Sequence, residues 1–250
     1  VSFTTGTCGQ CHDEEPYHVK NLEWNNSTHA VATSYPSGEN RESCVICHSA
    51  VGFVDRIDGA TPVRVDYAAI GCVACHDPHS GANPHQVRTV DPVTLKDTSN
   101  PGGATVVEDG GMGHLCMNCH QSRRDAATYV EEYHSHYGPH YGPQADMLAG
   151  VNAVDYGTPI PSSSHLVAIE DSCVHCHLQE TASDDPAHLE AGGHTFKPTW
   201  DAGTPEDPND DMDLVGACTS CHGQLTSFNF ARQDYDCDGV VEGVMTEVEG

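Results

Sequence analysis

The chain has 250 residues, 37 of them acidic and only 10 basic, for a formal net charge of −27. That excess of negative charge excludes nucleic acid and anionic membrane surfaces as partners, and no apolar run approaches the ~18 residues a membrane-spanning helix requires. Valine, isoleucine, leucine and phenylalanine make up 43 of 250 residues, below the roughly 20% at which a strongly charged chain fails to bury a core of its own, so something other than side chains must fill the interior.

In chain order, one pattern recurs six times. The first copy is Cys8-x-x-Cys11-His12, followed by His18 and His29; the second is Cys44-x-x-Cys47-His48. Residues 63–67 alternate weakly and predict a short strand. The third copy, Cys72-x-x-Cys75-His76, opens the stretch GCVACHDPHSGANPHQVR, which carries His79 and His85 as well. The fourth, Cys116-x-x-Cys119-His120, precedes a predicted helix over 123–132 and a histidine-dense run holding His134, His136 and His140. A second helix is predicted over 166–178, leading from His165 into Cys173-x-x-Cys176-His177. His188 and His194 follow, then an acidic, proline-containing loop at 203–213, then the sixth copy, Cys218-x-x-Cys221-His222. With 24 glycines and 15 prolines interrupting most segments, secondary structure is expected to be sparse.

Cys-x-x-Cys-His is the attachment motif of c-type haem. Two thiols add across the two vinyl groups on one porphyrin edge, and the next residue brings its imidazole to the iron. Zinc ribbons and redox dithiols also use paired cysteines, but neither needs a histidine after every second cysteine, and all six pairs have one. Covalent haem also answers the shortage of apolar side chains, because each haem contributes apolar surface whose burial is worth about 25 cal/mol per Å². The motifs start at 8, 44, 72, 116, 173 and 218, without the fixed period of a tandem array. The expected fold is therefore mostly irregular coil with short helices and few strands. Residues 1–250 form one unit wrapped around a continuous chain of six c-type haems.

Eighteen histidines less the six proximal ones leave twelve for the distal positions, against five methionines, which favours bis-histidine ligation. His175 lies between the cysteines of its own motif and cannot reach across to that iron, so it reads as a supporting or surface group. His79 and His85 follow His76 too closely to turn back onto the same ring, yet either can reach a neighbouring haem. We expect at least His79 to do so, with His85 either a ligand or a propionate partner. Near the end, Asp234-Tyr235-Asp236-Cys237-Asp238-Gly239 matches the first half of a calcium loop, in which Asp234, Asp236 and Asp238 converge on one ion and glycine permits the turn. The twelfth position is Met245 rather than glutamate, so a solvated acidic turn is the alternative. Cys237 is the one cysteine outside the pairs.

The runs around Trp24 to Ala30, CHDPHSGANPHQVR, LCMNCHQSR, HYGPHYGPQADML, SSSHLVAIEDSCVHCH, GGHTF and DYDCDGVVEGVMTEVEG cover most of the chain. Together they resemble the extracellular multihaem c-type cytochromes, including those that polymerise into cytochrome nanowires. The resemblance implies that His79, His140, His165, His194 and His29 are distal ligands, and His18 completes the six. It also implies long-range electron transfer, with a second copy of the chain as partner in a homopolymer and redox proteins or extracellular acceptors at the ends. Because electrons cross a subunit boundary only over a short gap between haems, we expect a distal histidine, His18 or His29 near the N-terminus, to be donated across it. The rival readings are a multihaem reductase acting on nitrite, hydroxylamine or tetrathionate, and a soluble periplasmic shuttle. The reductases need an open iron position, often marked by lysine in place of the motif histidine, and no motif here carries that change. Because c-type haem is attached outside the cytoplasmic membrane, the expected location is extracellular or cell-surface, with periplasmic second. The start at Val1 without a leader is read as removal of a targeting segment.

Overall fold

Short local signals, rather than long apolar periodicity, set the helices of this chain. The computed structural model describes residues 17–31, 42–61, 69–83, 85–97, 102–132, 142–204 and 211–249. The first Cys-x-x-Cys-His motif, the strand expected at 63–67 and His140 lie outside them, as does the side chain of His18. Among the described residues the backbone is mostly irregular, with helices of four to nine residues and two two-stranded antiparallel sheets. This is the sparse architecture expected from the glycine and proline content.

The chain divides into two compact units, Val1–Cys8 with Ala32–Val174 and Gly9–Val31 with His175–Gly250. In the first unit, helix α3 (Glu42–His48) packs on α4 (Ala50–Ile57); they follow α1 (Tyr17–Asn25) and α2 (Thr28–Val31) of the second unit. Ser49 caps α4, its hydroxyl accepting from Gly52 N at 2.9 Å, and Arg56 in the last turn complements the helix dipole. Ala50 and Phe53, three residues apart, point the same way and are buried with Ala74 of α5 (Cys72–Cys75). Gly52 permits the close approach, since a Cβ there would stand 2.3 Å from the Val45 carbonyl oxygen.

Strands β1 (Val93–Lys96) and β2 (Ala104–Val107) pair with Val93 opposite Val107 and Lys96 opposite Ala104. Along β1 burial alternates, placing Val93 and Leu95 inside. They form a second small core with Val107, Met117 of α6 (Gly113–Met117), and Ala145 and Ala149 of α8 (Gln144–Ala149). Between α6 and α8 lies α7 (Ala126–Glu132). It starts three residues later than the sequence predicts because Asp125 serves as its cap, accepting from Thr128 N at 2.8 Å.

The helix expected over 166–178 is two helices, α9 (Ser164–Ala168) and α10 (Cys173–His177). Asp171 and Ser172 leave helical geometry to bind the loop before the fourth motif. Asp171 Oδ1 accepts from Met112 N at 2.9 Å, and Ser172 Oγ donates to the Gly110 carbonyl at 3.1 Å with φ of +38°. The division between the units falls within α10, after Val174.

In the second unit, α1 carries a buried face that meets a 3-10 turn over Gly193–Thr195. Ala187, Ala191 and Leu214 make a small core beside the sheet of β3 (Thr199–Trp200) and β4 (Met212–Asp213). The loop expected at 203–213 thus ends as a strand. A 3-10 turn over Val215–Cys218 leads into α11 (Thr219–His222), and α12 (Val244–Glu249) closes the described chain. Seven of the fifteen buried apolar residues described are alanine. Such cores supply little transfer energy, as the composition foretold. Among the described residues no helix is long and apolar enough to cross a membrane.

Candidate haem sites

Each described Cys-x-x-Cys-His motif is built on one turn of helix. Three-residue spacing on a helical turn puts both sulfurs on one face. In the third motif Ala74 N bonds the Gly71 carbonyl and His76 N the Cys72 carbonyl, after which His76 turns to extended geometry. In the fourth, Cys119 N and His120 N both donate to the Cys116 carbonyl, at 3.0 and 2.9 Å. The second and fifth motifs lie within α3 and α10, and the sixth runs from the 3-10 turn into α11.

Beyond that turn, the chain supplies three of the motifs with a clamp of their own. His76 Nδ1 donates to the His85 carbonyl at 2.9 Å, and a carbonyl can only accept, so the lone pair of His76 is left on Nε2. Arg88 caps the same turn: its Nη2 donates to the carbonyls of Val73 and His76, at 2.8 and 2.9 Å, and its main-chain N–H to that of Cys75. His85 thus serves the third motif through its main chain while its ring is exposed. In the fourth motif α8 is the clamp. Gln144 Oε1 lies 3.2 Å from His120 Nδ1, Ala145 N donates to the His120 carbonyl, and Asp146 Oδ2 accepts from Ser122 N at 2.8 Å. His177 Nδ1 donates to the Phe196 carbonyl at 3.0 Å. His222 lies beside Phe230, ring centroids 5.8 Å apart.

These donors fit a haem. Three proximal rings, His76, His120 and His177, have Nδ1 engaged and Nε2 as the remaining nitrogen, the arrangement that fixes tautomer and orientation in metal-ligating histidines. His120, His177 and His222 are exposed and the paired cysteines are half-buried or exposed, leaving a face that an apolar macrocycle can cover. Zinc ribbons fit less well: among the described residues, the one metal-competent group of three is Asp234, Asp236 and Glu247, with no cysteine or histidine in it.

Within the first unit the motifs are drawn together. The Cys47 thiol is in hydrogen-bonding reach of that of Cys119, and the Cys116 thiol of that of Cys173, all four being free. Hydrogen bonding from Cys119 brings the Cys47 thiol down to about 7 against the effect of burial, with Arg56 and Arg123 assisting, while the partner Cys119 is pushed well up. His48 sits below the ordinary imidazole value through burial first, then through nearby Arg123 and His120. The second and fourth motifs are therefore neighbours.

Of the distal candidates, His29 packs edge-on against Phe196, centroids 4.9 Å apart and planes at 89°. His194 meets the same ring at 5.9 Å. Phe196 thus stands beside two distal candidates while its carbonyl holds the proximal His177. His79 occupies an exposed turn with φ of +65°, its N–H donating to Gln86 Oε1. His165 is exposed on α9, and His175 Nε2 lies 3.1 Å from the Ala217 carbonyl, the supporting position expected for it.

Two features escaped the sequence. Glu23, on α1, is a buried carboxylate whose Oε2 accepts from His194 N at 2.9 Å and lies 3.5 Å from His194 Nδ1. Burial raises its carboxyl, but the bonds to His194, together with Lys20, bring it below the usual range. His114 is 2% exposed, donates Nδ1 to the Val90 carbonyl at 2.9 Å and keeps a buried Nε2 without a hydrogen-bond partner. Gly110 closes over that nitrogen, where a Cβ would stand 2.7 Å away. His114 therefore belongs to a packed core rather than to an open face.

At the acidic end, Asp234, Asp236 and Glu247 bring ligand oxygens within 4.8 Å of one another. All three aspartates also accept main-chain N–H groups of the loop, Asp234 from Cys237 and Gly239, Asp236 from Asp238, and Asp238 from Val240 at 2.7 Å; Asp238 lies outside the group of three. Glu247, on α12, is buried and takes main-chain N–H groups from Glu242, Tyr235 and Asp236, which hold its carboxyl low. Sequence reasoning stopped at Met245, two residues short of the carboxylate that the helix turns inward.

No protein-family model and no curated protein matches this chain. Among solved structures it is similar to the crystal structure of the outer cell wall cytochrome OcwA, with a TM-score of 0.51 and 21% identity over 84% of this chain and 35% of that one. The chain thus spans about a third of OcwA's length. The likeness establishes the fold, a mostly irregular chain with short helices and few strands of the kind a cytochrome has.

Proposed function

We propose that residues 1–250 form one hexahaem c-type cytochrome unit that transfers electrons over long distances. The observation that carries this reading is the repeated clamp, in which three Cys-x-x-Cys-His motifs hold the Nδ1 of the terminal histidine and leave Nε2 for a metal. Haem iron, when bound, supplies a one-electron couple at each motif. Cys8, Cys11, Cys44, Cys47, Cys72, Cys75, Cys116, Cys119, Cys173, Cys176, Cys218 and Cys221 attach the six groups. His12, His48, His76, His120, His177 and His222 ligate proximally, and His18, His29, His79, His140, His165 and His194 distally.

The chain acts as an electron carrier rather than an enzyme, outside the cytoplasmic membrane, as the repeating subunit of an extracellular filament. One distal histidine is donated across the subunit boundary. Because His29 packs on Phe196 of its own chain, His18 is the favoured donor. Calcium at Asp234 and Asp236, with Glu247, offsets part of the charge of −27 and restrains the C-terminal loop. The test is electron paramagnetic resonance of the purified holoprotein with electron microscopy of the same sample. Six low-spin irons per chain in filaments support the reading; a stoichiometric high-spin iron would favour a reductase, and isolated particles a shuttle.

A further inference from the structure

Glu23 and His194 are separated by 171 residues, yet the fold spends a buried charge to bring them together. The Glu23 side chain is 5% exposed, and a carboxylate taken that far from water must be paired or hydrogen-bonded. One oxygen, Oε2, serves three groups: the main-chain N–H of His194 at 2.9 Å, His194 Nδ1 at 3.5 Å, and Lys20 Nζ at 3.5 Å. Lys20 also pairs with Glu180. His194 Nδ1 is buried, and Glu23 Oε2 faces it at 3.5 Å, an ion-pair rather than a hydrogen-bond contact.

The local sequence is shaped around this contact. Gly193 adopts φ of +49°, and a Cβ there would fall 2.5 Å from Glu23 Oε2; a side chain at 193 would displace the carboxylate. Nearby, Asn26 Nδ2 donates to the Leu189 carbonyl at 2.8 Å, fixing α1 over the same stretch. A simple packing contact would not need a buried charge beneath one imidazole. A metal-ligating imidazole does gain from one: a carboxylate at Nδ1–H fixes the tautomer, orients the ring and raises the basicity of Nε2.

We infer that Glu23 is the positioning residue of an axial ligand, holding His194 with Nε2 as the metal-binding nitrogen and lowering the reduction potential of the iron that His194 serves. The inference rests on the proposed haem function and on His194 as a distal ligand. It makes one haem different from those clamped by main-chain carbonyls. Where His76 and His177 donate to neutral carbonyls, His194 faces a carboxylate whose charge is only partly offset by Lys20, itself shared with Glu180, and that negative charge favours the oxidised, more positive iron. The chain would thereby set one step of its electron path lower in potential with a single side chain from α1.

The experiment compares spectroelectrochemical titrations and low-spin resonance spectra of the holoprotein with those of Glu23→Gln, Glu23→Asp and His194→Ala. His194→Ala identifies the low-spin component and the couple that belong to His194. Glu23→Gln keeps an acceptor oxygen but removes the charge. The expected result is six covalent haems per chain, with that same couple moved to higher potential and the other five in place. Glu23→Asp keeps the charge but withdraws it by one methylene, and should move the couple less, in the same direction. If titrations of both Glu23 variants overlay the wild type while His194→Ala loses its component, the inference is overturned and the haem function stands. Should Glu23→Gln fail to accumulate with haem, an unmoved couple in Glu23→Asp overturns it equally. If His194→Ala retains all its low-spin irons, the distal assignment fails and this inference fails with it.

Discussion

Asp146 ties α8 to the fourth motif, and its replacement gives the sharpest stability test. The carboxylate is 3% exposed; Oδ2 accepts from Ser122 N at 2.8 Å and Oδ1 from Asn152 Nδ2 at 3.1 Å. In Asp146→Ala the buried Ser122 N–H loses its acceptor, a cost of roughly 1–3 kcal/mol. Asn152 loses less, about 1 kcal/mol, because its amide also donates to the Arg124 carbonyl and accepts from Ala126 N. The sum is about 3 kcal/mol, or on the order of 6–12 °C in the melting midpoint of a domain this size. Asp146→Asn is the discriminating variant. Its amide must turn an N–H toward either Ser122 N or Asn152 Nδ2, and Asn152 is kept from flipping by its two main-chain bonds, so donor faces donor. Thermal unfolding of the holoprotein, followed by circular dichroism, should show Asp146→Asn destabilised about as much as Asp146→Ala. An Asp146→Asn midpoint within a degree or two of wild type would refute the reasoning.

Gly52→Ala gains helix propensity but brings a methyl to 2.3 Å from the Val45 carbonyl; a net loss of about 1–3 kcal/mol is expected in denaturant unfolding, and a stabilised variant would contradict the tight α3–α4 contact. Calorimetric titration of calcium should give binding that Asp234→Ala and Glu247→Gln abolish and that Asp238→Ala only weakens, since Asp238 lies outside the group of three. Removal of bound calcium by chelator should lower the melting temperature, and an unchanged melt would reduce the loop to an acidic turn. His18→Ala should abolish filaments in electron micrographs and leave one iron per chain five-coordinate, whereas filaments with six low-spin irons would exclude donation by His18.

The chemistry of this chain is more legible in its sequence than its fold is. The Cys-x-x-Cys-His spacing is local and read directly, and the scarcity of large apolar residues goes with buried apolar positions of which seven in fifteen described are alanine. Helix limits were less legible: the helix expected from Arg123 starts at Ala126, where Asp125 caps it. The single helix expected over 166–178 breaks because Asp171 and Ser172 bind residues about sixty positions earlier, and periodicity carries no trace of such contacts. Glu23 was hidden for the same reason: nothing near it in sequence marks burial, and its contact with His194, which Gly193 permits, spans 171 residues. Glu247 was missed because a twelve-residue calcium template ends at Met245, whereas the carboxylate stands two residues further along the same helix.

The central claim is that six Cys-x-x-Cys-His motifs carry covalent haem. Intact-mass spectrometry of the exported protein under denaturing, metal-chelating conditions tests it most directly, because thioether bonds survive where zinc and non-covalent cofactors do not. The expected mass is that of the polypeptide plus six haems, with all twelve paired cysteines unreactive toward alkylating reagents. A mass equal to the polypeptide alone, with those cysteines alkylated before or after reduction, would contradict it.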